Sequence, residues 1–264
     1  MVKLSDSLHA FKALGQHFIL NQDINFAIAS KAGDLAGINI IEIGSGPGGL
    51  TEAILKSGPK SVTALEKDRR FVDYLRPLEG LYNNLIVLPE DALSFNYCQI
   101  DSPKIIIANL PYNISSQLIF KWLEELKNYR ALYLMLQREV VDRICAAPGT
   151  KSYGKLSVLV QYQAKAGRVM DLSPGSFSPP PKVNSALVEI IPNSVDCIPF
   201  FIMEKLCRVA FMHRRKMVIK ALRTLFGDPS PIMNGAGIPQ NARAENISVS
   251  QFVSIARFLS APSV

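Results

Sequence analysis

Ile38-Asn39-Ile40-Ile41-Glu42-Ile43-Gly44-Ser45-Gly46-Pro47-Gly48-Gly49 is the stretch on which the reading of this chain turns. A short apolar, β-branched run ends in a glycine-rich turn, and a helical pattern begins directly after it. Glycines at such a junction permit a tight turn and let a ligand lie close to the backbone. The spacing of Gly44, Gly46 and Gly49 also satisfies Gly-x-Gly-x-x-Gly, so the loop by itself does not separate a dinucleotide from S-adenosylmethionine.

Working outward, strands are predicted at 38–43, 61–66, 84–88, 104–109, 131–136, 165–172 and 185–191. Helical patterns lie near 49–57, 68–76, 115–126 and 137–146. The clearest helix is 115–126, where Leu118, Ile119, Trp122, Leu123 and Leu126 share one face and Ser115 or Ser116 can cap. This alternation predicts an α/β fold, a mostly parallel, doubly wound Rossmann-like sheet with helices on both faces and ligands at the carboxyl ends of the strands. The pattern breaks at Pro192, Asn193, Ser194 and Pro199, and 199–226 and 250–260 read as helices. The expected organisation is an arm at 1–20, a catalytic domain at 21–194 and a small all-α domain at 195–264.

Charge divides the same way. Residues 198–264 carry nine Lys/Arg against Glu204, Asp228 and Glu245, which is +6 of the chain's net +7. A nearly neutral body with a cationic tail implies a polyanionic partner, nucleic acid ahead of membrane. No apolar run approaches the ~20 residues that span a bilayer, and the first residues lack a secretory pattern. Cys98, Cys145, Cys197 and Cys207 are scattered and histidines number three. That predicts buried, inert thiols, no metal site and a cytoplasmic location.

Successive strand ends carry the chemistry. Glu66 is placed to accept ribose hydroxyls, and Asp91 to accept the exocyclic amine of a cofactor adenine. Asn109-Leu110-Pro111-Tyr112 then decides the reaction class. An adenine N6 amine attacks a sulfonium methyl only if its delocalised lone pair is localised. The Asn109 side-chain oxygen and the Leu110 carbonyl are two acceptors for its two hydrogens. Pro111 fixes the backbone, and Tyr112 offers a face for a flipped base, worth about 1–3 kcal/mol. Phe177, on the stiff support Ser178-Pro179-Pro180-Pro181, is expected to close on the other face of the base. Arg138, Arg143, Lys151 and Lys155 are candidates for phosphate contacts.

With these residues on the page, the chain resembles the ribosomal RNA adenine dimethyltransferase family over about residues 12–226. The resemblance rests on Gly15-Gln16-His17-Phe18-Ile19, the glycine loop, Asn109 to Ser115, Gln137-Arg138-Glu139-Val140, Tyr153-Gly154-Lys155-Leu156-Ser157 and Phe177 to Val183. It implies S-adenosylmethionine as cofactor and 16S rRNA in the 30S subunit as substrate. Two methyl groups would go to each of two adjacent adenosines in a hairpin loop near the 3′ end. It further implies a part in small-subunit maturation, kasugamycin resistance when the enzyme is lost, and a monomer. By family position His17, Ile19, Gly44, Glu66, Asp91 and Asn109 contact the cofactor, with Gly46, Lys67 and Ala92 beside them. Arg208, Arg214, Arg215, Lys216 and Lys220 would face ribosomal RNA. Many relatives have Asn where this chain has His17, and Leu with a polar pair where it has Ile19-Leu20-Asn21.

Four other readings stay open at this level. They are a large-subunit adenine methyltransferase of the macrolide-resistance type, a DNA adenine methyltransferase, a non-enzymatic assembly or transcription factor, and an NAD-dependent dehydrogenase. The dehydrogenase gives no account of Asn109 to Tyr112.

Overall fold

A computed structural model describes residues 17–193, 198–213 and 215–260. Seven strands, β1 (Asn39–Ile43), β2 (Ser61–Leu65), β3 (Leu85–Leu88), β4 (Lys104–Asn109), β5 (Ala131–Gln137), β6 (Ala164–Leu172) and β7 (Ser185–Pro192), form one sheet in the order β3-β2-β1-β4-β5-β7-β6. The pairs β2·β3, β1·β2, β1·β4 and β4·β5 are parallel. Every residue of β1 is buried, the signature of a parallel strand covered on both faces, and this is why its apolar residues do not alternate with exposed polar ones; its two polar residues, Asn39 and Glu42, are buried as well. The order reverses between β1 and β4. At such a switch point the loops after the two strands diverge to opposite faces and leave a crevice between them.

The helices are α1 (Gln22–Lys31), α2 (Gly49–Lys56), α3 (Arg69–Glu79), α4 (Ser115–Glu124), α5 (Arg138–Ile144), α6 (Lys155–Gln163), α7 (Phe200–Ala210), α8 (Val218–Phe226), α9 (Ser230–Gly235) and α10 (Val249–Ser260). Strand and helix positions agree with the sequence reading to within a few residues, with informative exceptions. Helices α1, α6 and α9 have no counterpart in that reading. In α6 the run Ser157 to Val160 is buried throughout, so no polar face marks it as helical. The expected helix 199–226 is two helices, because the chain turns at 211–217. Ser115 does not cap α4; the N-cap is Ile114, and the Ser115 hydroxyl donates to the Tyr112 carbonyl at 3.0 Å.

The chain forms two compact units interleaved in sequence. One contains the chain up to Arg138 together with Arg168–Glu189, and the other contains Glu139–Gly167 with the chain from Ile190 on. The break expected near 194 falls close to the last crossing. The crossings at 138/139 and 167/168 lie within a helix and a strand, where composition gives no signal. The core of the first unit joins Ile40, Ile105 and Met135, which the register places on one face of the sheet, to Ile54, Leu75 and Leu187. In the second, α7 packs on α6, α8 and α10, and the Phe211 and Phe252 rings stack at 5.7 Å. Two thiols depart from expectation: Cys98 is exposed and donates to Glu125 Oε2 at 3.2 Å, and Cys145 is half-buried, while Cys207 is buried. Cys98 follows a polar N-cap on a surface turn, where no apolar neighbour draws it inward. Cys197 lies outside the described residues.

Candidate functional site

The site grows out of the loop after β1. Gly44 (φ 71°), Gly46 (φ 51°) and Gly48 (φ 82°) all adopt left-handed backbone, which L side chains occupy at a cost. Close packing adds to the requirement at two of them. A Cβ on Gly46 would lie 2.6 Å from the Phe18 ring, and one on Gly48 would lie 2.5 Å from Leu75 Cδ2. The Gly46 N–H donates to Glu66 Oε2 at 2.9 Å, and the Asp68 N–H donates to Oε1 at 2.8 Å. Glu66, only 3% exposed at the end of β2, is thereby held on two backbone amides. Burial raises its pKa while those amides oppose the shift.

Beneath the loop, Glu42 is buried and neither carboxyl oxygen makes a regular hydrogen bond among the described residues; the Ser45 and Thr51 hydroxyls are likewise unpaired. Burial pushes the Glu42 carboxyl up to about 7, against the lowering influence of the Thr51 and Ser45 hydroxyls beside it. An acid raised in the folded state binds its proton more tightly there than in the unfolded chain. Stability from this group is therefore present below pH ~4.5 and lost as pH rises through about 7, on the order of 3 kcal/mol. Glu42→Gln should flatten that loss, so the difference in Tm between pH 5 and pH 8 should narrow by several degrees relative to wild type. An unchanged difference in differential scanning calorimetry would show that Glu42 stays ionised.

The carboxyl end of β4 forms the opposite wall. Asn109 Nδ2 donates to the His17 carbonyl at 2.8 Å, which fixes the amide and leaves its Oδ1 as the acceptor. The Leu110 N–H donates to the Met135 carbonyl at 3.3 Å, and its own carbonyl accepts no hydrogen bond among the described residues. The Tyr112 hydroxyl and Ser185 Oγ are 2.7 Å apart, and the Tyr112 and His17 rings lie 5.5 Å apart at 34°. His17 Nδ1 is 2.7 Å from the Pro179 carbonyl, and Phe18 and Ser178 exchange two backbone hydrogen bonds. The segment at 17–19 is thus tied to the proline-rich segment 160 residues away. His17, Phe18, Gly44, Glu66, Asn109, Leu110, Pro111 and Tyr112 line one cavity. Its volume is about 20 Å³, on the order of one water, because the Phe18 ring occupies the space over Gly46.

The remaining sequence candidates sort by position. Ile19 is buried in the core, and its carbonyl accepts from Asn25 Nδ2 at 3.2 Å. Lys67 and Asp91 pair with each other at 2.7 Å; the Lys67 ammonium holds the Asp91 carboxyl below its usual range, and the second Asp91 oxygen accepts from the Leu93 N–H at 2.9 Å. Ala92 is buried, and its carbonyl accepts from the Tyr97 hydroxyl at 2.9 Å. Phe177, expected as a second wall for a base, is instead 5% exposed inside the core of the first unit and does not line the cavity. Next to the extended pair Phe18·Ser178, neighbouring side chains alternate sides, and Phe177 takes the apolar one. The ring that stands beside Tyr112 is that of His17. Ser185, His17's ring contact and Phe18 escaped the sequence reading, since each acts through a partner distant in the chain.

In the second unit, Arg143 pairs with Glu139, and Lys155 with Glu204 at 2.9 Å. Lys151, Arg208, Arg215, Lys216 and Lys220 are exposed, as is Arg138 in the first unit. Arg214 lies outside the described residues.

Comparison with known proteins follows the geometry. A family model described as ribosomal RNA adenine dimethylase matches residues 8–261. The chain is 43% identical over 253 residues to the ribosomal RNA small subunit methyltransferase A of Anaplasma marginale, covering 95% of this chain and 94% of that one. To the protein of the same name from Ruegeria sp. it is 40% identical over 259 residues, covering 96% and 92%. Among solved structures it is similar to a dimethyladenosine transferase from Plasmodium falciparum, with TM-score 0.81, 26% identity and 92% and 98% coverage.

Proposed function

Because this chain belongs to the ribosomal RNA adenine dimethylase family, we propose that it dimethylates N6 of two adjacent adenosines in a hairpin loop near the 3′ end of 16S rRNA. The proposed setting is the 30S particle in the cytoplasm during small-subunit biogenesis, with a monomer acting on it and S-adenosylmethionine as donor. The observation that carries the reading is the Asn109 amide. With Nδ2 committed to the His17 carbonyl, Oδ1 presents a fixed acceptor at the mouth of a cavity shared with Glu66 and the glycine loop.

The residues present fit the donor. Gly44 leaves open backbone, since a Cβ there would meet only the Asn109 carbonyl at 3.7 Å, and Glu66 is a buried carboxylate held at the cavity wall. S-adenosylmethionine, when bound, supplies a methyl group on a sulfonium that is already activated for transfer. Gly44, Gly46 and Glu66 would hold its nucleoside and tail, and Asp91 would reach the adenine once Lys67 yields its oxygen. Asn109 Oδ1 and the Leu110 carbonyl accept the two amine hydrogens, which favours a pyramidal nitrogen with its lone pair aimed at the methyl. Tyr112, steadied by Ser185, stacks the flipped base. No strong base is needed, because the product proton leaves to water.

Mass spectrometry of 16S rRNA, after incubation of the protein with unmethylated 30S subunits and cofactor, tests this reading. Two adjacent dimethyladenosines are expected. Methylation of large-subunit RNA alone would assign the chain to the other branch of the chemistry, and no transfer to either would leave only a binding role.

A further inference from the structure

Between Glu204 and Asp228 the sequence carries seven Lys/Arg and no acidic residue. This stretch builds α7, the turn at 211–217 and α8, and it encloses a second cavity, of about 270 Å³. The cavity is lined by the buried or half-buried apolar residues Val209, Ala210 and Ala221 and by the exposed Met212, His213, Lys216, Met217 and Lys220, so its charged groups lie on the solvent side. Among the described residues neither lysine is in an ion pair. Met212 and Met217 are 64% and 38% exposed, which is costly for apolar side chains unless a partner covers them. The backbone of Met217 forms an antiparallel bridge with Arg243.

An apolar floor under a cationic rim matches one nucleotide. The base enters the hydrophobic part, where thioether sulfurs make favourable contacts with aromatic rings, and the flanking phosphates meet the lysines. A paired duplex cannot offer this, because its bases are stacked inside; a base splayed from a loop or bulge can. We propose that the cavity between α7 and α8 is a second RNA site that accepts one unstacked nucleotide of the substrate RNA, apart from the adenosine that is methylated. The charge complementarity of the rim selects RNA over an apolar peptide as occupant. The proposal rests on the reading of the substrate as RNA.

The test uses the full-length protein with two RNA probes of equal length, a hairpin with an unpaired loop and a fully paired duplex. Ala221→Phe fills the cavity without changing charge, and should weaken hairpin binding about tenfold while duplex binding stays within twofold. Lys216→Ala with Lys220→Ala should weaken both and reduce the salt slope by about two. In the wild-type protein labelled with [13C-methyl]methionine, hairpin but not duplex should move the Met212 and Met217 methyl resonances upfield by ring current. That reading needs no variant and guards against a misfolded Ala221→Phe. Equal loss of both probes with Ala221→Phe, or methionine signals that move alike with both, would mean that only the backbone is held, and would overturn the nucleotide site. Binding of the hairpin unaffected by Ala221→Phe would do the same while leaving the RNA reading intact. A protein that binds neither RNA would remove both.

Discussion

Asn109→Ala should lower the rate of methyl transfer by about a thousandfold or more while RNA binding stays within a few-fold. The amide does two things that alanine cannot. In the proposed reaction its Oδ1 accepts a hydrogen of the amine, and its Nδ2 donates to the His17 carbonyl at 2.8 Å, which holds the 17–19 segment across the cavity. Removing a single preorganised polar partner of a developing charge costs about 10²–10³ in rate, and misplacement of the aromatic wall adds to it. Asn109→Asp separates the two contributions. It keeps an acceptor oxygen but sets a second oxygen against the His17 carbonyl, so it should lose turnover through repulsion and displaced geometry. Incorporation of labelled methyl into unmethylated 30S subunits measures both. Turnover of Asn109→Ala within tenfold of wild type would remove Asn109 from the reaction centre.

Gly46→Ala is the second substitution with a large expected effect, and it acts on cofactor binding. The residue sits at φ 51° and a Cβ there would lie 2.6 Å from the Phe18 ring. Relieving that contact means turning the Phe18 ring against Phe71, 5.0 Å away, or moving the loop, and Gly46 N–H carries one of the two amide contacts of Glu66. The expected result is a loss of about 1–3 kcal/mol in stability from backbone strain, together with cofactor affinity weakened about tenfold or more. Gly58→Ala is the control. Gly58 has the same left-handed backbone, at φ 74°, with nothing within 4 Å of a Cβ, so it should show the strain alone. Calorimetry with S-adenosylhomocysteine reads the affinity and thermal unfolding reads the strain. Equal affinity in the two variants would mean that the Phe18 contact gives way freely.

The contrast between these two positions shows how legibility divides. Gly46 is readable because a glycine turn between a buried strand and a helix is a local device, encoded in consecutive residues. Asn109 is readable as a candidate because the residues that the proposed chemistry needs, Leu110, Pro111 and Tyr112, follow it directly in sequence. What holds Asn109 is not readable, since the His17 carbonyl lies 92 residues away. The same holds for Tyr112 and Ser185, 73 residues apart, and for His17 and Pro179, 162 apart. Phe177 fails for a related reason. A phenylalanine beside three prolines looks the same in sequence whether it faces a ligand or a core, and the pairing of Phe18 with Ser178 decides which. Helix α6 was hidden because burial on all sides erased its period.

Short segments of the sequence encode the strands, most of the helices, the glycine turn, and the positions of the candidate residues: acidic after β2 and β3, and Asn109 to Tyr112 at the end of β4. Those are properties of short segments, where backbone preference and hydrophobic period act over a few residues. Only the tertiary structure decided what these segments meet. It paired Lys67 with Asp91 at 2.7 Å, laid the Phe18 ring over Gly46, sent Phe177 into the core, and interleaved 139–167 with the C-terminal helices. It also turned a basic run between Glu204 and Asp228 into a cavity with a charged rim. The reason is the same in each case: contacts between distant segments are set by how buried faces pack, and sequence separation carries no record of that packing.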